Sequence, residues 1–157
     1  MFADELEYKT QSVVGWNLKP DILIHGSPCQ DMSIAGHQGK VTKEGGRINR
    51  GKGADEGSGT RSSLMWETIH IIQNMGEWKP KFVIWENVKN VLNSYNRKNF
   101  EKYLSEMEKL GYTNSYKVLD ARDFGIPQAR ERVFTISCLS GECFDFEKLR
   151  HTEMKPL

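Results

Sequence analysis

A thiol, a carboxylate and two guanidinium groups stand where a chain can present them to a ligand. The stretch "HGSPCQDMS" sets Cys29 between a proline and a glutamine, just past the apolar run "DILI". A buried cysteine packs as a small hydrophobe and needs no special neighbours. On a tight turn at a strand end its sulfur can reach a ligand instead. Further on, "KFVIWEN" ends in Glu86 and Asn87, and "DFGIPQARER" carries Gln128, Arg130 and Arg132. Gathered round one pocket, these groups suit nucleophilic attack with acid assistance and substrate clamping. Taken singly, each has a plainer reading: an inert thiol, a carboxyl bound to a backbone amide or an arginine, a solvated charge run. The joint pattern is much harder to dismiss.

The elements that must position them follow from periodicity. "DILIHG" (21–26) and "KFVIWEN" (81–87) read as buried parallel strands, short, β-branched and ended by turn residues. Between them "RSSLMWETIHIIQNM" offers serine caps at Ser62 and Ser63 and apolar residues at Met65, Ile69, Ile72 and Met75, which is helical spacing. A second helix puts Phe100, Leu104, Met107 and Leu110 on one face and stops at Gly111. "YTNSYKVLD" and "RVFTISCL" read as two further strands. Strand–helix–strand–helix–strand predicts an α/β layered fold. In parallel sheets of that kind ligands bind beyond the carboxyl ends of the strands. Cys29 and Glu86, each following a strand, then face one crevice, and "DFGIPQARER" brings Gln128, Arg130 and Arg132 within reach of it.

The 157 residues, 38% hydrophobic, suffice for one globular domain. No apolar run approaches membrane-spanning length, and the charged start "MFADELEYKT" is no signal peptide. Three cysteines at irregular positions (Cys29, Cys138, Cys143) argue against a disulfide framework and for a reducing cytoplasmic setting. A zinc site from Cys138, Cys143 and His151 lacks a second cysteine pair, so no metal is expected. The net charge of +1 gives no global positive field, so nucleic-acid binding needs a local patch. Residues 36–60 offer one: they hold eight of the fourteen glycines and almost no apolar residue. Between Lys40 and Arg61, six basic residues (Lys40, Lys43, Arg47, Arg50, Lys52, Arg61) outnumber three acids (Glu44, Asp55, Glu56). Such a segment is a functional lid or a solvated insertion. Its Gly51/Gly53 and Gly57/Gly59 pairs do not sit between a strand and a helix, so no phosphate fingerprint is read there.

From about residue 21 to 139 the chain resembles the DNA (cytosine-5) methyltransferases. "GSPCQDMSIAG" looks like the catalytic-loop motif, "GTRSSLMWETIHII" like the helix beneath the cofactor, "PKFVIWENVKNVL" like the Glu-Asn-Val motif, and "DARDFGIPQARERVFTI" like the Gln-x-Arg-x-Arg motif. Four motifs in family order are highly specific. The resemblance implies that Cys29 adds to carbon 6 of a cytosine flipped out of double-stranded DNA, making carbon 5 nucleophilic toward the methyl group of S-adenosylmethionine. Glu86 supplies a proton at N3 as the thiolate adds, while Arg132 and Arg130 hold the base carbonyl and its neighbours. Pro28 shapes the turn beside base and cofactor, Leu64 and Asn87 fall at cofactor positions, and Asn87 orders the loop. Gln30, Ser33, Lys40, Arg47, Arg50 and Gln128 fall where DNA is met, the 36–60 segment matching the family's closing loop. Methylation of this kind belongs to restriction–modification.

Two departures accompany the likeness. Ser27 stands where many relatives carry an aromatic residue. Only twenty residues precede Asp21, without a strand–glycine turn–helix pattern, whereas a βαβ unit needs roughly 30 or more. The eighteen residues beyond Leu139 are too few for a target-recognition domain. The expectation is a partial Rossmann-like methyltransferase sheet with flanking helices, lacking the N-terminal cofactor-binding strands, so that the S-adenosylmethionine site is incomplete. Residues 1–20 form a lead-in, 21–139 the partial catalytic domain with 36–60 as its mobile loop, and 140–157 a C-terminal tail. "DILIHG" should then be an exposed apolar sheet edge, open to a complementing subunit or to self-association. The alternative is an inactive remnant or non-catalytic subunit.

Overall fold

In the strand Phe82–Val88 every second side chain is buried, Val83, Trp85 and Asn87 each at 3% exposure or less. That alternation marks a strand covered on one face, and it organises the sheet around it. The computed structural model describes residues 19–26, 65–94 and 96–153. Four strands, β1 (Ile22–His25), β2 (Phe82–Val88), β3 (Thr113–Asp120) and β4 (Glu131–Cys138), form one sheet in the order β1-β2-β4-β3. The first two are parallel, as read from sequence, with Leu23 beside Val83 and His25 beside Trp85. β4 runs antiparallel to both β2 and β3, so the sheet is mixed. The cause is the connection: ten residues (121–130) with only a 3-10 turn at Ala121–Asp123 and no α-helix separate β3 from β4, and a parallel crossover needs a dozen or more.

Helices α1 (Met65–Asn74) and α2 (Arg97–Lys109) contribute to one core with the covered sheet face. Met65, Ile69 and Ile72 from α1, then Phe100, Tyr103 and Met107 from α2, meet Val83, Trp85 and Val133. Met75 is buried just past α1, and Leu104 packs against the core from its margin. The positive φ of Gly111 (94°) ends the α2 region where the sequence places the stop. The serine caps Ser62 and Ser63 lie outside the described residues.

The other sheet face is only partly covered. Register puts Ile22, Phe82 and Cys138 on it in one row, and Ile24, Ile84 and Ile136 in the next. Residues 140–153 fold back toward it: Phe146 is buried and Lys117 pairs with Glu147. Beyond, Thr152 bridges to Phe124, on whose ring His151 stacks with centroids 5.6 Å apart. The β1 side remains open, with Ile22 53% and Ile24 69% exposed. The reading of "DILIHG" as a buried strand is thereby corrected. Among the described residues β1 has one neighbour, β2, and forms an apolar edge.

Candidate active site

Because β4 returns antiparallel, the carboxyl ends of β1, β2 and β3 and the first residues of β4 share one edge of the sheet. On that edge Glu86 lies opposite Phe134, and Arg132 is the next residue of β4 on the same face. Such diagonal neighbours are within reach of a long side chain. Arg132 Nε stands 3.1 Å from Glu86 Oε1, both side chains about a third exposed or less (25% and 35%). Arg132 Nη1 also donates to the Glu131 carbonyl at 2.8 Å, so its fork is held from two sides.

Glu86 Oε2 points toward Gly26, the last described residue before the "SPCQ" stretch. A carbon added at Gly26 would lie 3.4 Å from Oε2 and 3.7 Å from the Glu86 carbonyl. The bare glycine therefore sets no side chain of its own against that oxygen. Only three peptide links separate Gly26 from Cys29.

Arg130 and Gln128 are exposed on the β3–β4 connection, whose mouth is closed by Ala121 N–H donating to the Arg130 carbonyl at 3.1 Å. Next to it Arg122 Nη2 lies 2.6 Å from Asp120 Oδ2 and holds that carboxyl well below its usual range, at about 2. Two cavities open here and share Arg130 and Arg132. One, about 410 Å³, is lined by Glu86, Phe124, Phe134 and Leu149 among others; the second, about 380 Å³, by Lys89, Gln128 and Glu131. The first pairs apolar walls with the Glu86 and Asp120 carboxylates and the Arg130 and Arg132 guanidiniums, which suits a flat polar ring.

Asn87 takes no part in this grouping. It alternates to the helix-covered face, is 3% exposed, and its Oδ1 accepts from Val88 N–H at 2.8 Å. Cys29, Pro28, Gln30, Ser33, Lys40, Arg47, Arg50 and Leu64 lie outside the described residues. The structure thus brings together Glu86, Arg132, Arg130 and Gln128 from the sequence reading.

It adds His25, which that reading passed over. The imidazole stacks on Trp85 with centroids 6.0 Å apart, with Nε2 2.9 Å from the Tyr103 hydroxyl and Nδ1 3.2 Å from Thr68 Oγ1. Burial pushes the ring down to about 4, so it is neutral at pH 7. One side chain thereby ties the end of β1 to both helices. Lys89 and Leu149 were also missed; only the strand register, or the folding back of 140–153, reveals them. Cys138 is buried at the end of β4, which raises its thiol, while Cys143 is exposed. Among the described residues no group of three His, Cys, Asp or Glu could hold a metal ion, and no helix is long and apolar enough to cross a membrane.

A family model described as C-5 cytosine-specific DNA methylase matches residues 5–156. The chain is 48% identical over 127 residues to the type II methyltransferase M2.ScrFI of Lactococcus lactis subsp. cremoris, covering 80% of this chain and 31% of that protein. It is 38% identical over 137 residues to the orphan methyltransferase M.SssI of Spiroplasma monobiae, covering 87% and 31%. The fold is similar to that of the Entamoeba histolytica methyltransferase EhMeth, at a TM-score of 0.58 and 16% identity, covering 93% of this chain and 39% of that one. The chain spans about a third of the length of these relatives.

Proposed function

Because this chain belongs to the C-5 cytosine-specific DNA methylase family, we propose that it carries the base-activating half of a DNA cytosine-5 methyltransferase. The observation that supports this best is the Glu86–Arg132 pair, set at the sheet edge with Glu86 Oε2 turned toward Gly26. A cytosine flipped from double-stranded DNA presents N3, its exocyclic amine and its carbonyl oxygen in a row. Glu86 Oε2 faces N3 and the amine, and Arg132 faces the carbonyl, with Arg130 beside it. The Cys29 thiolate adds to carbon 6, forming the S–C bond. The displaced π pair spreads toward N3, where Glu86 supplies a proton. Carbon 5 is left as an enamine carbon able to attack a methyl group. Lys40, Arg47 and Arg50 of the 36–60 segment meet DNA phosphates.

Membership of the family implies S-adenosylmethionine as the methyl source. The described residues build no cradle for it: Asn87 is buried on the helix side with its amide oxygen already taken by a backbone N–H. The roles above therefore concern activation of the base. The cofactor site is completed outside the described residues, and the apolar β1 edge, where Ile22 and Ile24 are exposed, offers a seat for a complementing polypeptide. The setting is cytoplasmic. The second reading is a non-catalytic subunit or remnant that keeps the sheet.

Addition at carbon 6 labilises the carbon 5 hydrogen even without methyl transfer, so tritium release from [5-³H]cytosine duplex tests the activation directly. Release is expected from the chain with its complement and lost in Cys29→Ser and Glu86→Gln. Release that survives Cys29→Ser but vanishes in Cys138→Ser would overturn the assignment. No release from any combination would favour the second reading.

A further inference from the structure

The second cavity differs in chemistry from the first. It holds Lys89, Arg130 and Arg132 with the Gln128 amide, against a single carboxylate, Glu131, and no aromatic ring lines it. Both cavities share Arg130 and Arg132 as a common wall. Lys89 Nζ lies 2.8 Å from Glu131 Oε1, with the two side chains 57% and 47% exposed. Glu131 sits between the two arginines in sequence and opposite Asp120 in register, whose own carboxylate is taken by Arg122. Arg130 contrasts with these cations: it makes no side-chain ion pair among the described residues. An unneutralised guanidinium beside an exchangeable lysine and an amide donor is a set of groups suited to an anion with several acceptor oxygens.

We infer that Lys89, with Arg130 and Gln128, seats a backbone phosphate of the DNA next to the flipped cytosine, and that Glu131 holds Lys89 in place until the phosphate takes it over. This rests on the DNA substrate proposed above. The pairing of cavities carries the argument: a base and its phosphate are joined by one sugar, so a nucleotide with its base against Glu86 needs an anion seat one wall away. The two cavities meet at the Arg130–Arg132 wall, as such a nucleotide requires. Exchange of partners is cheap because a solvent-exposed lysine–glutamate pair is worth little in water. Glu131 then works against binding twice over, by repelling the phosphate and by retaining Lys89.

The test is binding of the full chain to a short cytosine-containing duplex, followed by fluorescence anisotropy as salt is varied. Each phosphate contact contributes a slope of about −0.9 to log K against log[salt], so Lys89→Gln should lower the slope by about 0.9 and weaken binding about fivefold at 0.15 M salt. Glu131→Gln should tighten binding in the wild-type background and do so far less in a Lys89→Gln background, which simple removal of one negative charge would not produce. Both positions are exposed, so the variants keep the fold. A wild-type slope retained in Lys89→Gln overturns the inference and leaves the DNA reading intact, as does an equal gain from Glu131→Gln in both backgrounds. A wild-type chain that does not bind the duplex at low salt removes the DNA reading and this inference with it.

Discussion

Replacing His25 by glutamine should change how stability depends on pH, with a sign and a window that the structure sets. The ring is held neutral by burial, with its pKa lowered from 6.5 to about 4. As pH falls the unfolded chain therefore takes up the proton first. Stability from this group is complete above the unfolded value, declines between 6.5 and about 4, and is level below. Each pH unit in that window costs about 1.4 kcal/mol, so going from about pH 7.5 to about pH 4.5 removes roughly 2–3 kcal/mol. The Asp120–Arg122 pair does not confuse the window, because Asp120, lowered from 3.8 to about 2, loses its contribution only below it. At pH 7.5 His25→Gln gives up the Trp85 stack and part of the hydrogen bonding to Tyr103 and Thr68, which should cost about 1–2 kcal/mol. Near pH 4.5 the order should reverse, since glutamine has no proton to gain. Urea unfolding of both proteins at the two pH values measures this. Equal losses on acidification would refute the reasoning, and show that the imidazole reaches water more freely than its contacts imply.

Glu86→Gln should reduce tritium release from cytosine by about a hundredfold or more, the contribution of a positioned acid; Arg132→Lys should weaken it too, since a lysine cannot hold both Glu86 and the Glu131 carbonyl in the same fork. Gly125→Ala should lower stability by about 1–2 kcal/mol, because φ is +81° and the new methyl would stand 3.2 Å from Thr152 Cγ2; thermal unfolding reads it, and proteolysis should begin in residues 149–153. Ile24→Lys, a charge on the exposed β1 edge, should abolish association with a complementing polypeptide in gel filtration while leaving the melting temperature of the chain nearly unchanged.

Much of this architecture was legible from side-chain period. The stripe from Met65 to Met75 and the alternation around Val83 and Trp85 each admit one buried face, and the chain uses it. The direction of β4 was legible only from the length of the 121–130 connection, a constraint of covalent reach with no motif attached. Tyr103 escaped because helical spacing accepts Leu104 equally well. What decides between them is a partner for the hydroxyl, and that partner, His25, is 78 residues away. The Glu86–Arg132 pair was foreseeable as a grouping, since both residues border strand ends, but their contact needed the antiparallel register. The Lys89–Glu131 pair, 42 residues apart, had no local signal at all. For Cys29 and the basic 36–60 segment, sequence remains the whole of the argument, as they lie outside the described residues.

The strand order also bears on how the domain assembles. β3 and β4 close across ten residues, whereas β1 must find β2 across the fifty-six residues from 26 to 81. The difference in closure entropy is about 1.5 kcal/mol against β1. β1 is also the shortest strand, four residues long, and pairs on one side only among the described residues. The β2–β4–β3 unit with α2 can therefore form first, with the first strand adding late. In native-state hydrogen exchange the amides of Leu23 and Ile24 should open at lower free energy than those of Val83 or Val133. The strand that leads into the "SPCQ" stretch is then the least cooperative part of the sheet, so that anything binding at the Glu86 edge also completes the folding of the strand that serves it.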